Sequence, residues 1–290
     1  MRELQDLSRK LLEDDDAGVV IGWEEGPRGL RPAFVTDPED TKRLIFDPRA
    51  VHNLAAYLSP RRAHLREKGK AAVVVKGCDA RAVAALIREK QISREEVILI
   101  GIRCAGVFRD SSCTGSLSAE NIADRCSGCD QREPSLVDHL IGEPAPEPPG
   151  TSRRSERIDE LDSMTHEERF AFWRAELARC VRCHACREVC PLCVCERCVA
   201  DKTDPVWIES SSHLRGCFSW HMTHAMHLAG RCSDCGECER ACPAGIPISL
   251  INRKVAQVVR DRFGYQAADD PEADAPIGTF RLDDEEEFIK

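Results

Sequence analysis

The chain has 290 residues, of which 31% are charged, and a formal net charge of −9. That balance argues against a phosphate-binding nucleic-acid surface, and no stretch reaches the roughly 20 uncharged apolar residues of a membrane span, so protein and small-molecule partners in the cytoplasm are expected. Seventeen cysteines, many in two- and three-residue spacings behind a charged opening segment, Met1–Asp16, that does not resemble a secretory signal, fit thiolate metal ligation better than disulfides.

Residues 1–142 read as an α/β domain. A charged helix opens it, followed by a hairpin-like pair at Val19–Trp23 and Leu30–Val35. Ala71–Val75 is a short buried-strand run, Asp79–Lys90 has helical apolar spacing at Ala82, Ala85 and Leu86, and Val97–Ile102 is a second buried strand. Strand, helix, strand in that order favours a parallel sheet. Residues 143–164, rich in Pro and then in Ser and Arg, cannot build a core and read as a semi-rigid linker.

Thr165-His-Glu-Glu168 has the form of a capping box, opening a helix with Phe170, Trp173 and Leu177 on one face. It begins a mainly α-helical domain over residues 165–265. Ile248–Phe263 closes that domain with a stripe of Leu250, Ile251, Val255, Val258, Val259 and Phe263 expected to cover the cluster core. Residues 266–290 hold nine acidic and two basic residues, a solvated acidic tail or a partner-binding arm.

Two runs in this domain share one spacing: Cys180-x2-Cys183-x2-Cys186-x3-Cys190-Pro191 and Cys232-x2-Cys235-x2-Cys238-x3-Cys242-Pro243. In this bacterial ferredoxin pattern three thiolates of one loop hold a [4Fe–4S] cluster and the fourth cysteine, before proline, reaches the other cluster. The crossed assignment is Cys180, Cys183, Cys186 and Cys242 for one cluster, and Cys232, Cys235, Cys238 and Cys190 for the second. Paired zinc sites are the alternative, but tetrahedral zinc has no use for a third cysteine at this spacing and a fourth before proline, twice over.

The insert between the runs carries Cys193, Cys195, Cys198 and Cys217, with His213, His221, His224 and His227 nearby. These could form a further iron–sulfur or zinc site, or some are spare thiols buried beside the clusters while His224 and His227 share a helix face one turn apart. In the α/β domain, Cys78 and Cys104 sit at or just past the C-terminal ends of the predicted strands, where open α/β sheets place ligands, and Cys126-x2-Cys129 follows. These four could close around a third cluster or be buried free thiols.

Lys76-Gly-Cys78-Asp79, Ile100-Gly-Ile-Arg-Cys104 and Cys126-Ser-Gly-Cys129, with Asp138 and Ile141-Gly142 after them, resemble the core of the beta subunits of deazaflavin-reducing hydrogenases and formate dehydrogenases. The resemblance covers about residues 70–142, with Gly77 where that family has proline. It implies a third [4Fe–4S] cluster on Cys78, Cys104, Cys126 and Cys129, and cofactor binding, FAD included, around Lys76, Gly77 and Asp79. Residues 176–265 resemble the two-cluster modules of heterodisulfide reductase C subunits and anaerobic sulfite reductase A subunits. The expected function is therefore an iron–sulfur electron-transfer subunit of an anaerobic oxidoreductase complex. Its expected partners are a formate dehydrogenase or hydrogenase as donor and a flavin-containing, heterodisulfide-reductase-like acceptor. The alternative is a flavin-dependent oxidoreductase exchanging hydride with a nicotinamide or deazaflavin. No glycine-rich dinucleotide fingerprint is present.

Overall fold

In the computed structural model the described residues are 1–67, 69–149, 152–267, 272–276, 278–280 and 282, so much of the expected acidic tail lies outside them. The N-terminal half is built on one five-stranded sheet. Helix α1 (Arg2–Glu13) buries Leu4, Leu11 and Leu12. Strands β1 (Val19–Gly26) and β2 (Gly29–Val35) pair antiparallel, Gly26 opposite Gly29 at the turn. The valine-rich β3 (Ala71–Val75) then lies parallel to β1, β4 (Val97–Ile102) parallel to β3, and β5 (His139–Ile141) parallel to β4. Strand order is β2-β1-β3-β4-β5.

All five residues of β3 are buried, as a central parallel strand covered on both faces requires. Helix α2 (Gly77–Arg88) starts one residue after β3 and buries Ala82, Val83, Ala85 and Leu86. The parallel geometry puts the C-terminal ends of β3 and β4 at the same edge, which delivers Cys78 and Cys104 to one place.

The C-terminal half is helical: α3 (Arg153–Ser163), α4 (His166–Ala178), the single turn α5 (Ala185–Glu188), α6 (Leu214–His227), the single turn α7 (Glu237–Arg240) and α8 (Ile248–Phe263). The capping box at α4 is present, Thr165 Oγ1 accepting from Glu168 N–H while the Glu168 carboxylate accepts from Thr165 N–H. Leu192 and Leu228, both from this half, pack into the core of the α/β sheet. Ion pairs Arg231–Glu89 and Arg61–Glu188 cross between the halves.

Three expectations are revised. The stretch 143–164, read as linker, contains α3, which packs Ile158 and Leu161 against Leu250 of α8. Arg154, Ile158 and Leu161 form its buried stripe at i, i+4 and i+7, too sparse in apolar residues to stand out among charges. Phe170 is 55% exposed, touching Phe218 at the surface. In α8, Leu250 and Val259 are buried but Val258 and Phe263 are exposed, so the buried face is narrower than the apolar pattern implies and includes Ser249 and Asn252.

Candidate functional site

The two cysteine runs fold alike. The second residue after the first cysteine is left-handed in both, Arg182 at φ 56° and Asp234 at φ 58°, and so is the fourth, His184 at φ 59° and Gly236 at φ 70°. The single-turn helices α5 and α7 then start at equivalent positions. Left-handed residues between ligands are uncommon for side chains other than glycine, and here they turn the loop so that backbone N–H groups face sulfur. Arg182 N–H donates to Cys180 Sγ (3.4 Å) and Ile246 N–H to Cys242 Sγ (3.5 Å).

Cys190, Cys232, Cys235 and Cys238 line one cavity, together with Arg154, Gly236 and Asn252. The crossed set expected for the second cluster is thus gathered around one space. Cys78, Cys104, Cys126 and Cys129 line another, beside Lys76, Asp79, Arg125, Gln131 and Glu237. Here Gly106 N–H donates to Cys104 Sγ and Gln131 N–H to Cys129 Sγ, each at 3.3 Å. Cys235 lines both cavities, so the two share a wall. Around the first run, Cys180, Cys186 and Cys242 pack together under Leu177, Ile208 and Trp220, while Cys183 is exposed.

Burial pushes Cys104, Cys186 and Cys235 each up to about 12, and Cys78 and Cys238 well above their usual value, while Cys190 is raised first by its hydrogen bond to Cys193 and then by burial. Metal-free, they are neutral, and ligation must displace their protons. The third cavity is held by buried charge. Burial alone would lower the Lys76 ammonium, but Asp79 at 3.0 Å outweighs it and the net direction is up. Lys76 also donates to the carbonyls of Ala50 and His52 and lies 4.2 Å from the Trp23 ring centre. Burial would raise Glu237, but Arg125 and Arg240 overwhelm it and hold the carboxylate at about 2.

Gly77 is required by a close approach: a Cβ there would lie 2.3 Å from the Gln131 carbonyl oxygen, in the segment that follows Cys129. Of the three residues expected to bind a cofactor, Lys76 and Asp79 line the third cavity and Gly77 lets its wall close.

Among the described residues no three His, Cys, Asp or Glu side chains converge on a point that would hold a single ion. The cysteines of the insert are not brought together. Cys193 meets His224 (3.2 Å), Cys217 is buried against the Cys180 carbonyl (3.3 Å), Cys198 lies beside Arg187, and Cys195 is exposed.

Sequence reasoning missed Arg125, Arg154 and Glu237, each nine-tenths buried at the thiol cavities. The available signal was adjacency: Arg125 precedes Cys126, and Glu237 sits between Cys235 and Cys238. Arg154 carried none, lying in the stretch read as linker.

No protein-family model matches the chain. It is 33% identical over 94 residues to the "F420-dependent formate dehydrogenase subunit beta" of Methanocaldococcus jannaschii, a match that covers 32% of this chain and spans only 24% of that relative. It is 23% identical over 355 aligned positions to the "F420-dependent formate dehydrogenase 1 subunit beta" of Methanococcus maripaludis, covering 91% of this chain and 90% of that protein. Among the described residues, no helix is long and apolar enough to cross a membrane. The chain is thus distantly similar, over a third of its length more strongly than along the rest, to beta subunits of formate dehydrogenases.

Proposed function

We propose that this chain is an electron-relaying subunit of a formate-dehydrogenase-type oxidoreductase complex, with three thiolate sites that each hold a [4Fe–4S] cluster. Such clusters, when bound, supply one-electron transfer, and the protein contributes burial, spacing and hydrogen bonds to sulfur. Cys180, Cys183, Cys186 and Cys242 are assigned to the first site, Cys190, Cys232, Cys235 and Cys238 to the second, and Cys78, Cys104, Cys126 and Cys129 to the third.

The observation that carries the reading is the shared wall at Cys235 between the second and third cavities. Cys186 and Cys238 lie in one buried cluster with Trp220 and Ile246, which supports placing the first site beside the second. The proposed order is linear. The end with exposed Cys183 faces the surface and the other end lies at the sheet edge, between Lys76 and Arg125. The names of the relatives support a formate dehydrogenase complex, and a heterodisulfide-reductase-like acceptor is proposed as the other partner.

Electron paramagnetic resonance of the anaerobically reduced full chain tests the relay. Clusters in cavities that share a wall give broadened, magnetically coupled signals. Replacing Cys126 and Cys129 by Ser removes about four irons and simplifies the spectrum. Signals that behave as independent centres before and after the substitution would contradict a relay in this order.

A further inference from the structure

The insert between the cysteine runs remains without a role in the relay, although it carries histidines and cysteines. Its main element, α6, lies against the first run rather than around a metal point of its own. His221 Nε2 stands 3.4 Å from Cys180 Sγ, and Trp220 packs in one buried cluster with Cys186, where its indole acts as a donor that favours the thiolate. Both residues are 2% exposed. One turn on, His224 Nε2 meets Cys193 Sγ at 3.2 Å, and its ring stacks on Trp220 with centroids 5.1 Å apart and 18° between planes. Arg182 lies 5.5 Å from the Trp220 ring centre and His184 packs edge-on at 4.7 Å, so the indole is fixed in place by residues of the first run itself.

The tautomer follows from the same geometry. Nδ1 of His221 and of His224 is buried without a hydrogen-bond partner. A proton there would be an unpaired buried donor, whereas a proton on Nε2 has a sulfur to bond, so the imidazole N–H points at sulfur. A donor to a cluster thiolate stabilises the more negative, reduced state, which raises the reduction potential.

We propose that α6 is a sulfur-directed donor helix, in which His221 and Trp220 are positioning residues that raise the potential of the first-run centre by donating to Cys180 and Cys186. This rests on the cluster reading above, and it makes the insert part of the first centre instead of a fourth metal site. The neighbouring centres have different donors, Asn252 at Cys238 Sγ and backbone N–H groups at Cys104 and Cys129, so the effect of α6 is confined to one of three potentials.

Redox titration of the anaerobically prepared full chain, followed by paramagnetic resonance, tests it. The first-run signal is identified as the one lost in Cys183→Ser. In His221→Phe, which keeps a ring and removes the donor, the reduced-to-oxidised ratio of that signal at the wild-type midpoint is expected to fall about tenfold, equal to about 59 mV for one electron. The other two midpoints and the iron content stay put. His221→Gln, which retains an N–H, restores most of the shift, and Trp220→Phe gives a second downward shift through Cys186 should His221→Phe fail to retain iron. Unmoved potentials in iron-replete His221→Phe and Trp220→Phe, or equal shifts in the Phe and Gln variants, would overturn the donor role while leaving the clusters standing. Iron-free wild-type protein would overturn the cluster reading itself.

Discussion

Arg125 Nη1 donates to Glu237 Oε1 at 2.7 Å, a bond between residues 112 positions apart that ties the loop before Cys126 to the turn before Cys238. Arg240 completes the carboxylate's partners with two further bonds, at 2.9 and 2.8 Å, and Arg125 also reaches the Val51 carbonyl. This buried network forms part of the wall beside Cys235.

Removing one member of a buried pair leaves the other charge without compensation, at a cost of about 3–5 kcal/mol. Glu237→Met is therefore expected to lower unfolding free energy by that amount in denaturant titrations. The double variant Arg125→Met with Glu237→Met should lose much less. A double variant as unstable as the sum of the singles would show that the two residues are not coupled.

Stability should also depend on His52. Burial first, then Arg240, Lys76 and Arg125, lower its pKa from 6.5 to about 4. The folded state thus takes up the proton only near pH 4, while the unfolded chain takes it up near 6.5. Stability contributed by keeping the ring neutral is present above pH 6.5 and is lost as pH falls from 6.5 towards 4. Urea unfolding of wild type and His52→Gln across this window should show the wild type losing more stability, with parallel pH profiles as the contrary result.

Gly77→Ala places a Cβ against backbone of Gln131, at 2.3 Å from its oxygen and 2.9 Å from its carbon, so that segment must move. The same segment supplies the N–H bond to Cys129 Sγ, and the Arg132 carbonyl next to it accepts from Cys104 N–H. The expected outcome is loss of the third-site signal and of about four irons, with the other two centres retained. Full iron content in Gly77→Ala would show that the cavity wall yields without consequence.

Much of the scaffold was legible in the residues. Continuous apolar runs marked β3 and β4 to the residue, Thr165 and Glu168 marked the start of α4, and the repeated cysteine spacing reappears as matching backbone turns at Arg182 and Asp234. What stayed hidden was held by charge. Arg154 is 3% exposed and pairs with Asp234, yet nothing in its charged neighbourhood signals burial, because periodicity registers apolar side chains and not ion pairs formed across 80 residues. Of helix α6 only the one-turn spacing of His224 and His227 was legible, for the related reason that its buried face is made of Cys217, Trp220, His221 and His224 instead of aliphatic residues.

Helix α3 gives a direct check on that hidden part. Ile158 is 7% exposed and packs with Leu161 and Leu250, so Ile158→Ala should cost about 2–5 kcal/mol in unfolding free energy. A true linker residue would tolerate the change within about 0.5 kcal/mol.

Iron and acid-labile sulfide determination on the anaerobically prepared chain bears most directly on the proposal of three thiolate centres. About twelve irons and twelve sulfides per chain are expected, falling to about eight in the variant lacking Cys126 and Cys129. Protein that carries zinc in place of iron, or retains no metal under strictly anaerobic preparation, would contradict it.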